Sequence, residues 1–123
     1  KGAAEILVST PMWNWNVPSV LKAYIDQLIH PGVLGGGTPE DSISAKVTVI
    51  AAQGGSYAQG TPKEGWDWFS GYLTQVFTQL GSPDIKVILS ELNYAGMIPG
   101  MESLMNKKEA SFAEAKSAIK SRV

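Results

Sequence analysis

Cysteine is absent from this chain, and histidine occurs once, at His30. Without a thiol the chain forms no disulfide and offers no thiolate nucleophile. A single imidazole cannot build a zinc set, which takes three or four ligands, and no Ser-His-Asp array can be argued around it. Next to Pro31 at a helix end, His30 has a structural use, as a partner of the helix dipole. An excess of one charge is missing too. Ten Lys and Arg face eleven Asp and Glu, for a net charge of −1. With no clustered basic stripe, nucleic acid is not an expected partner, because phosphate contacts need concentrated Lys and Arg. No apolar run approaches the ~20 residues that a membrane-spanning helix requires. Neither a Walker loop nor G-x-G-x-x-G occurs. No catalytic residue and no metal ligand is therefore nominated, and a cytoplasmic setting fits the lack of cysteine.

What is present fits one domain of 123 residues, 44% apolar, with four tryptophans. Residues 5–10 contain a short continuous apolar run, Ile6-Leu7-Val8, and predict a buried strand that Pro11 stops. Apolar residues then recur at Val20, Leu21, Tyr24, Ile25, Leu28 and Ile29, which predicts a helix opened by Pro18 and closed by Pro31-Gly32. Residues 31–45, with Gly35-Gly36-Gly37 and Thr38-Pro39-Glu40-Asp41, predict a mobile loop. Residues 46–52 predict a second strand. Trp66 to Leu80 predicts a second helix, with Trp66, Phe69, Leu73, Val76, Phe77 and Leu80 on one stripe and Gly81 past its end. Residues 85–90 predict a third strand, and 101–122 a polar surface helix. The order βαβαβα, with crossovers long enough for helices, predicts a doubly wound parallel α/β sheet in three layers.

Two loops leave the carboxyl ends of predicted strands, where open α/β sheets bind ligands. The first holds Met12, Trp13, Asn14 and Trp15. The second holds Gln53, Gly54, Gly55 and Tyr57. Indoles and asparagines offer flat apolar surface beside hydrogen-bonding groups, which suits a planar heteroaromatic ligand. Glycines let backbone N–H groups approach a ligand without an intervening Cβ. Taken singly, the glycine pair reads as a tight turn and the indoles as core packing; the two strand-end loops together favour a ligand site.

The run from Thr10 to Asp26, Thr-Pro-Met-Trp-Asn-Trp-Asn-Val-Pro-Ser-Val-Leu-Lys-Ala-Tyr-Ile-Asp, closely resembles the flavin segment of the FMN-dependent NADH-azoreductases. These share the flavodoxin-like fold with the NAD(P)H:quinone oxidoreductases. Gln53-Gly54-Gly55-Ser56-Tyr57 resembles the second flavin loop, where the family shows Arg-Gly-Gly, one residue, and His or Tyr. The resemblance runs through the whole chain. It implies that residues 1–123 are the C-terminal portion of one flavodoxin-like FMN-binding domain. The family's first strand and its Ser-rich phosphate loop would precede Lys1. It further implies FMN as cofactor, NADH or NADPH as co-substrate, and a quinone or azo compound as acceptor, reduced by ping-pong hydride transfer in a homodimer. Met12, Trp13, Asn14 and Trp15 would wrap the flavin ring, Gly54 and Gly55 would bond its polar edge, and Tyr57 would flank it. Gln53 stands where the family has Arg, which removes a cation near the flavin. Two alternatives belong to other classes: a flavodoxin-like electron carrier, and a hydrolase like the acyl-carrier-protein phosphodiesterases. The near-neutral charge speaks against the first, and the lack of a nucleophile or metal set against the second.

Overall fold

The computed structural model describes residues 1–35 and 37–123. Three parallel strands form one sheet in chain order: β1 (Glu5–Pro11), β2 (Lys46–Ala52) and β3 (Ile85–Ser90). Their β-branched residues stack in rows. Val8 pairs with Val49, which pairs with Val87. β2 is central, and its Val47, Thr48 and Val49 are fully buried, as expected for a strand covered on both faces. Three helices alternate with the strands: α1 (Ser19–Leu28), α2 (Trp68–Gln79) and α3 (Met105–Arg122). Successive strand residues point to opposite faces. Val47, Val49 and Ala51 accordingly share a core with Ile25 of α1 and Phe69, Leu73 and Phe77 of α2. Thr48 points the other way and accepts a hydrogen bond from Nε of Arg122, at the end of α3. This is the α/β/α layering expected from the pattern.

The details depart from expectation in four places. Pro11 does not stop β1 but is its last residue. The Met12 N–H donates to Ala52 in β2, so the alternating Pro11 nitrogen faces the open edge, where a missing N–H costs nothing. In α1 only Ile25 is buried, while Val20 is 76% exposed and Tyr24 61%. The core takes the single stripe Leu21–Ile25–Leu28, and residues about 100° away lie outside it. α2 begins at Trp68, two residues after the expected Trp66. Asp67 caps it, accepting from the Ser70 N–H and hydroxyl. The segment 31–45 is partly packed, with Leu34, Ile43 and Ala45 buried and a 3₁₀ turn at Pro39–Asp41; Gly36 of its glycine run lies outside the described residues.

At the end of α2, Gly81 takes φ +93°, its N–H bonds the Thr78 carbonyl, and the Ser82 N–H bonds Phe77. This is a Schellman closure, and it turns the chain into β3. Among the described residues no helix is long and apolar enough to cross a membrane.

Candidate functional site

Three strand exits meet at the carboxyl end of the sheet. After β1, Trp13 and Asn16 exchange both backbone hydrogen bonds, at 3.0 and 3.1 Å. The two residues between them, Asn14 and Trp15, take φ of +48° and +64°. That is a two-residue turn of the I′ kind, in which both central residues have positive φ. Asn tolerates this conformation; a bulky Trp is strained in it. The strain is held by packing. The Trp15 and Trp66 rings meet edge to face, with centroids 5.0 Å apart.

The exits of β2 and β3 are sewn together. The Gly55, Gln53 and Gly54 carbonyls accept from the Leu92, Asn93 and Tyr94 N–H groups, each at 3.0 Å. The Asn93 side-chain amide donates to the Gln53 and Ser90 carbonyls. The glycine loop therefore offers its carbonyls to the third loop, while among the described residues the Gly54 N–H donates to no group. Neither glycine has a positive φ. A Cβ at Gly54 would overlap the Tyr94 ring, whereas one at Gly55 would come no nearer than 3.5 Å, to the Tyr57 hydroxyl. Glycine is thus required at 54 by a neighbouring side chain, and at 55 by nothing among the described residues.

These exits line a groove of about 950 Å³. Met12, Asn14, Trp15, Gly54, Gly55 and Tyr57 all border it. Two expected site residues do not. Trp13, 59% exposed, lines a neighbouring groove of about 430 Å³ with Lys22 and Tyr72. Gln53 is 1% exposed, beneath the glycine loop, and neither atom of its amide has a hydrogen-bond partner among the described residues. Tyr57's phenol is pushed above its ordinary value near 10, first by burial and then by neighbouring Tyr94, while hydrogen bonds with Trp15 and the Gly55 backbone pull the other way. It is a neutral donor at physiological pH. His30 lies at the exposed end of α1, beside the Pro31 carbonyl. Among the described residues no cluster of three His, Asp or Glu could hold a metal.

Sequence reasoning missed the rest of the groove. Leu92 and Tyr94 come from the third exit, Thr61 and Lys63 from a loop closed by the Gly65 N–H on the Tyr57 carbonyl, and Lys107 and Ser111 from α3. One signal was available: the carboxyl-end rule that singled out two loops applies equally to the loop after 85–90.

The arrangement is that of an open parallel sheet with a ligand crevice at its strand ends, and the sequence profile of the flavodoxin-like fold matches residues 1–123. The chain belongs to the flavodoxin-like fold family. Within it, the chain is 43% identical over 124 residues to an FMN-dependent NADH:quinone oxidoreductase of Frankia casuarinae. The alignment covers 99% of this chain but 59% of that relative, so the chain spans little more than half the relative's length. Among solved structures, the azoreductase AzrA superposes with a TM-score of 0.67 at 24% identity, over 93% of this chain and 53% of that one. An FMN-dependent NADH-azoreductase from Bacillus anthracis, in complex with FMN, superposes at 0.64 and 22% identity, over 94% and 56%. At those identities the likeness speaks to the fold.

The groove suits the ring of a flavin. Met12, Trp15 and Tyr57 provide apolar and aromatic walls, and the Gly54 N–H, which donates to no group among the described residues, is a donor that a ligand's polar edge could use.

Proposed function

We propose that this protein works as an FMN-dependent NAD(P)H oxidoreductase that reduces quinones or azo compounds. The observation that carries the reading is the convergence of Met12, Asn14, Trp15, Gly54, Gly55 and Tyr57 on one groove at the strand ends. The name of the Frankia relative supports NADH as the co-substrate. FMN, when bound, supplies the redox chemistry, taking a hydride from NAD(P)H and passing electrons to the acceptor in turn, and the protein supplies position and electrostatics. Trp15 and Met12 would hold the ring, the Gly54 and Gly55 amides would bond its polar edge, and Trp13, which borders the neighbouring groove, would cover it from outside. Tyr57, kept neutral by burial, donates a hydrogen bond and carries no charge into the site. Gln53 serves as a buried amide behind the ring, leaving that side without a fixed cation. No protein acid or base is needed for the hydride chemistry that the flavin would supply.

The same reading makes the protein a cytoplasmic homodimer. Trp68 is 63% exposed although Phe69 and Leu73 beside it are buried, and exposed aromatics are characteristic of interfaces. Trp68→Glu should give monomers by light scattering and lower activity; a variant that stays dimeric removes Trp68 from the interface. The function itself is tested by NADH oxidation with menadione, using the full-length protein and added FMN. FMN-dependent turnover is the expected result. A protein that neither binds FMN nor oxidises NADH overturns the proposal.

A further inference from the structure

A bulky residue with positive φ is uncommon, and Trp15, at φ +64°, is the second central residue of the turn after β1. Glycine is the usual occupant of that place in a I′ turn. Such a conformation persists only where its surroundings enforce it, and it collects at ligand clamps. Trp15 borders the groove, so its backbone decides where one aromatic wall stands. The contact that enforces it comes from a ring outside the groove. Trp66 meets the Trp15 ring edge to face at 5.0 Å, and the Lys63 ammonium lies 5.0 and 5.3 Å from the two ring centroids, within cation–π range of both. Trp66 joins neither the apolar core nor the lining of the groove, yet its backbone is fixed on both sides. Its N–H bonds the Lys63 carbonyl, its carbonyl accepts from the Trp68 N–H, and the next residue, Asp67, caps α2. Before it, the Gly65 N–H closes the loop on the Tyr57 carbonyl. The indole is therefore mounted on the start of a helix and rests on a strained residue of a groove-facing turn. The other charged groups of the groove, Glu91, Lys107 and Glu114, enter from the third exit and from α3. Among the described residues neither acid pairs with Lys63, which leaves its ammonium on the indoles.

We propose that Trp66 is a positioning residue for the flavin: packed on Trp15 beside the Lys63 ammonium, it holds Trp15 in its left-handed conformation and keeps the Met12–Trp15 turn in its binding shape before the cofactor arrives. This rests on the functional reading above and adds to it a residue that does not line the groove. Without the brace, Trp15 relaxes toward negative φ for part of the time and its ring leaves the wall. Only the competent fraction then binds, and the apparent Kd rises as that fraction falls. The bound state is the same with or without the brace, so the loss falls on the association rate.

The test titrates FMN into the full-length apoprotein, followed by flavin fluorescence, with rates from stopped flow. Trp66→Ala should raise the Kd for FMN about fivefold, the scale of one aromatic pair, through slower association at an unchanged dissociation rate. Trp66→Phe, which keeps an aromatic edge for Trp15, should restore most of the affinity. Trp66→Leu, which keeps apolar bulk but no ring, should show the loss even if Trp66→Ala does not fold. In a Trp15→Gly background, where positive φ costs nothing, removing the Trp66 ring should change the already weakened Kd by less than about twofold. An unchanged Kd in Trp66→Ala and Trp66→Leu overturns the proposal. So does a loss carried by faster dissociation, which would mean that Trp66 touches the flavin itself, and so does an undiminished loss in the Trp15→Gly background. Wild-type protein that binds no FMN overturns the functional reading and the brace with it. Wild-type binding of FMN with the same Kd in the Trp66 variants overturns the brace alone.

Discussion

Replacing Gln53 with methionine should stabilise the ligand-free protein. The side chain is 1% exposed, and neither its oxygen nor its nitrogen finds a partner among the described residues. An amide buried without compensation costs about 1–3 kcal/mol on the scale of protein mutations. Methionine has similar length and no polar atom that demands a partner, and volume-conserving swaps of this kind cost less than about 1.5 kcal/mol in packing. The balance favours Gln53→Met by about 1 kcal/mol, or roughly 3–6 °C in Tm for a domain of this length. Urea unfolding of the full-length apoprotein, followed by circular dichroism and tryptophan fluorescence, measures it. Saturating FMN adds a second arm. A ligand that bonds the wild-type amide stabilises the wild type more than the variant, so the advantage of Gln53→Met should shrink or reverse. If Gln53→Met is less stable than wild type without FMN, the amide has a partner and the reasoning fails. If the advantage is the same with and without FMN, Gln53 does not reach the flavin.

Three further outcomes follow from particular contacts. Gly54→Ala places a Cβ into the Tyr94 ring and should destabilise by about 1–3 kcal/mol, with most of the loss recovered in Gly54→Ala/Tyr94→Ala; an undiminished single variant would show that Tyr94 moves freely. A Cβ at Gly55 would come no nearer than 3.5 Å to any other group among the described residues, so in Gly55→Val helix content should persist while the flavin absorbance near roughly 450 nm disappears; full FMN occupancy would reduce these glycines to a turn. Asp84 is hydrogen-bonded to Arg122, which holds its carboxyl below the ordinary value near 3.8. A depressed folded-state value contributes stability above the unfolded value that is lost as pH falls through the folded one, so the urea midpoints of wild type and Asp84→Asn should differ at pH 7, draw together as the pH falls below the ordinary value of 3.8, and coincide only below the lower folded value.

Much of the architecture was legible in the sequence because its signals are local. β-branched runs at 46–52 and 85–90, punctuated by Gly81 and Pro83, specify strands and a helix stop without reference to distant residues. Val47, Val49 and Ala51 recur at every second position and so share the face that packs into the core, a period the sequence displays by itself. The flavin-loop resemblance likewise lies in contiguous residues, Thr10 to Asp26. What escaped was decided by packing across the fold. Val20 and Tyr24 fit an apolar helix stripe as well as Leu21 and Ile25 do, and only the angle at which α1 meets the sheet separates them. Trp66 left the predicted helix because its ring packs on Trp15, fifty-one positions earlier in the chain, while Asp67 found a better use as a cap. Gln53 and Gly54 look like equal members of one loop, yet one side chain turns into the core and the other position is reserved for Tyr94 from a third strand exit. Lys63 shows no pattern at all in the sequence. Its cation gains a place at the groove only when two tryptophans from separate loops close around it, and such a contact exists in the tertiary structure alone.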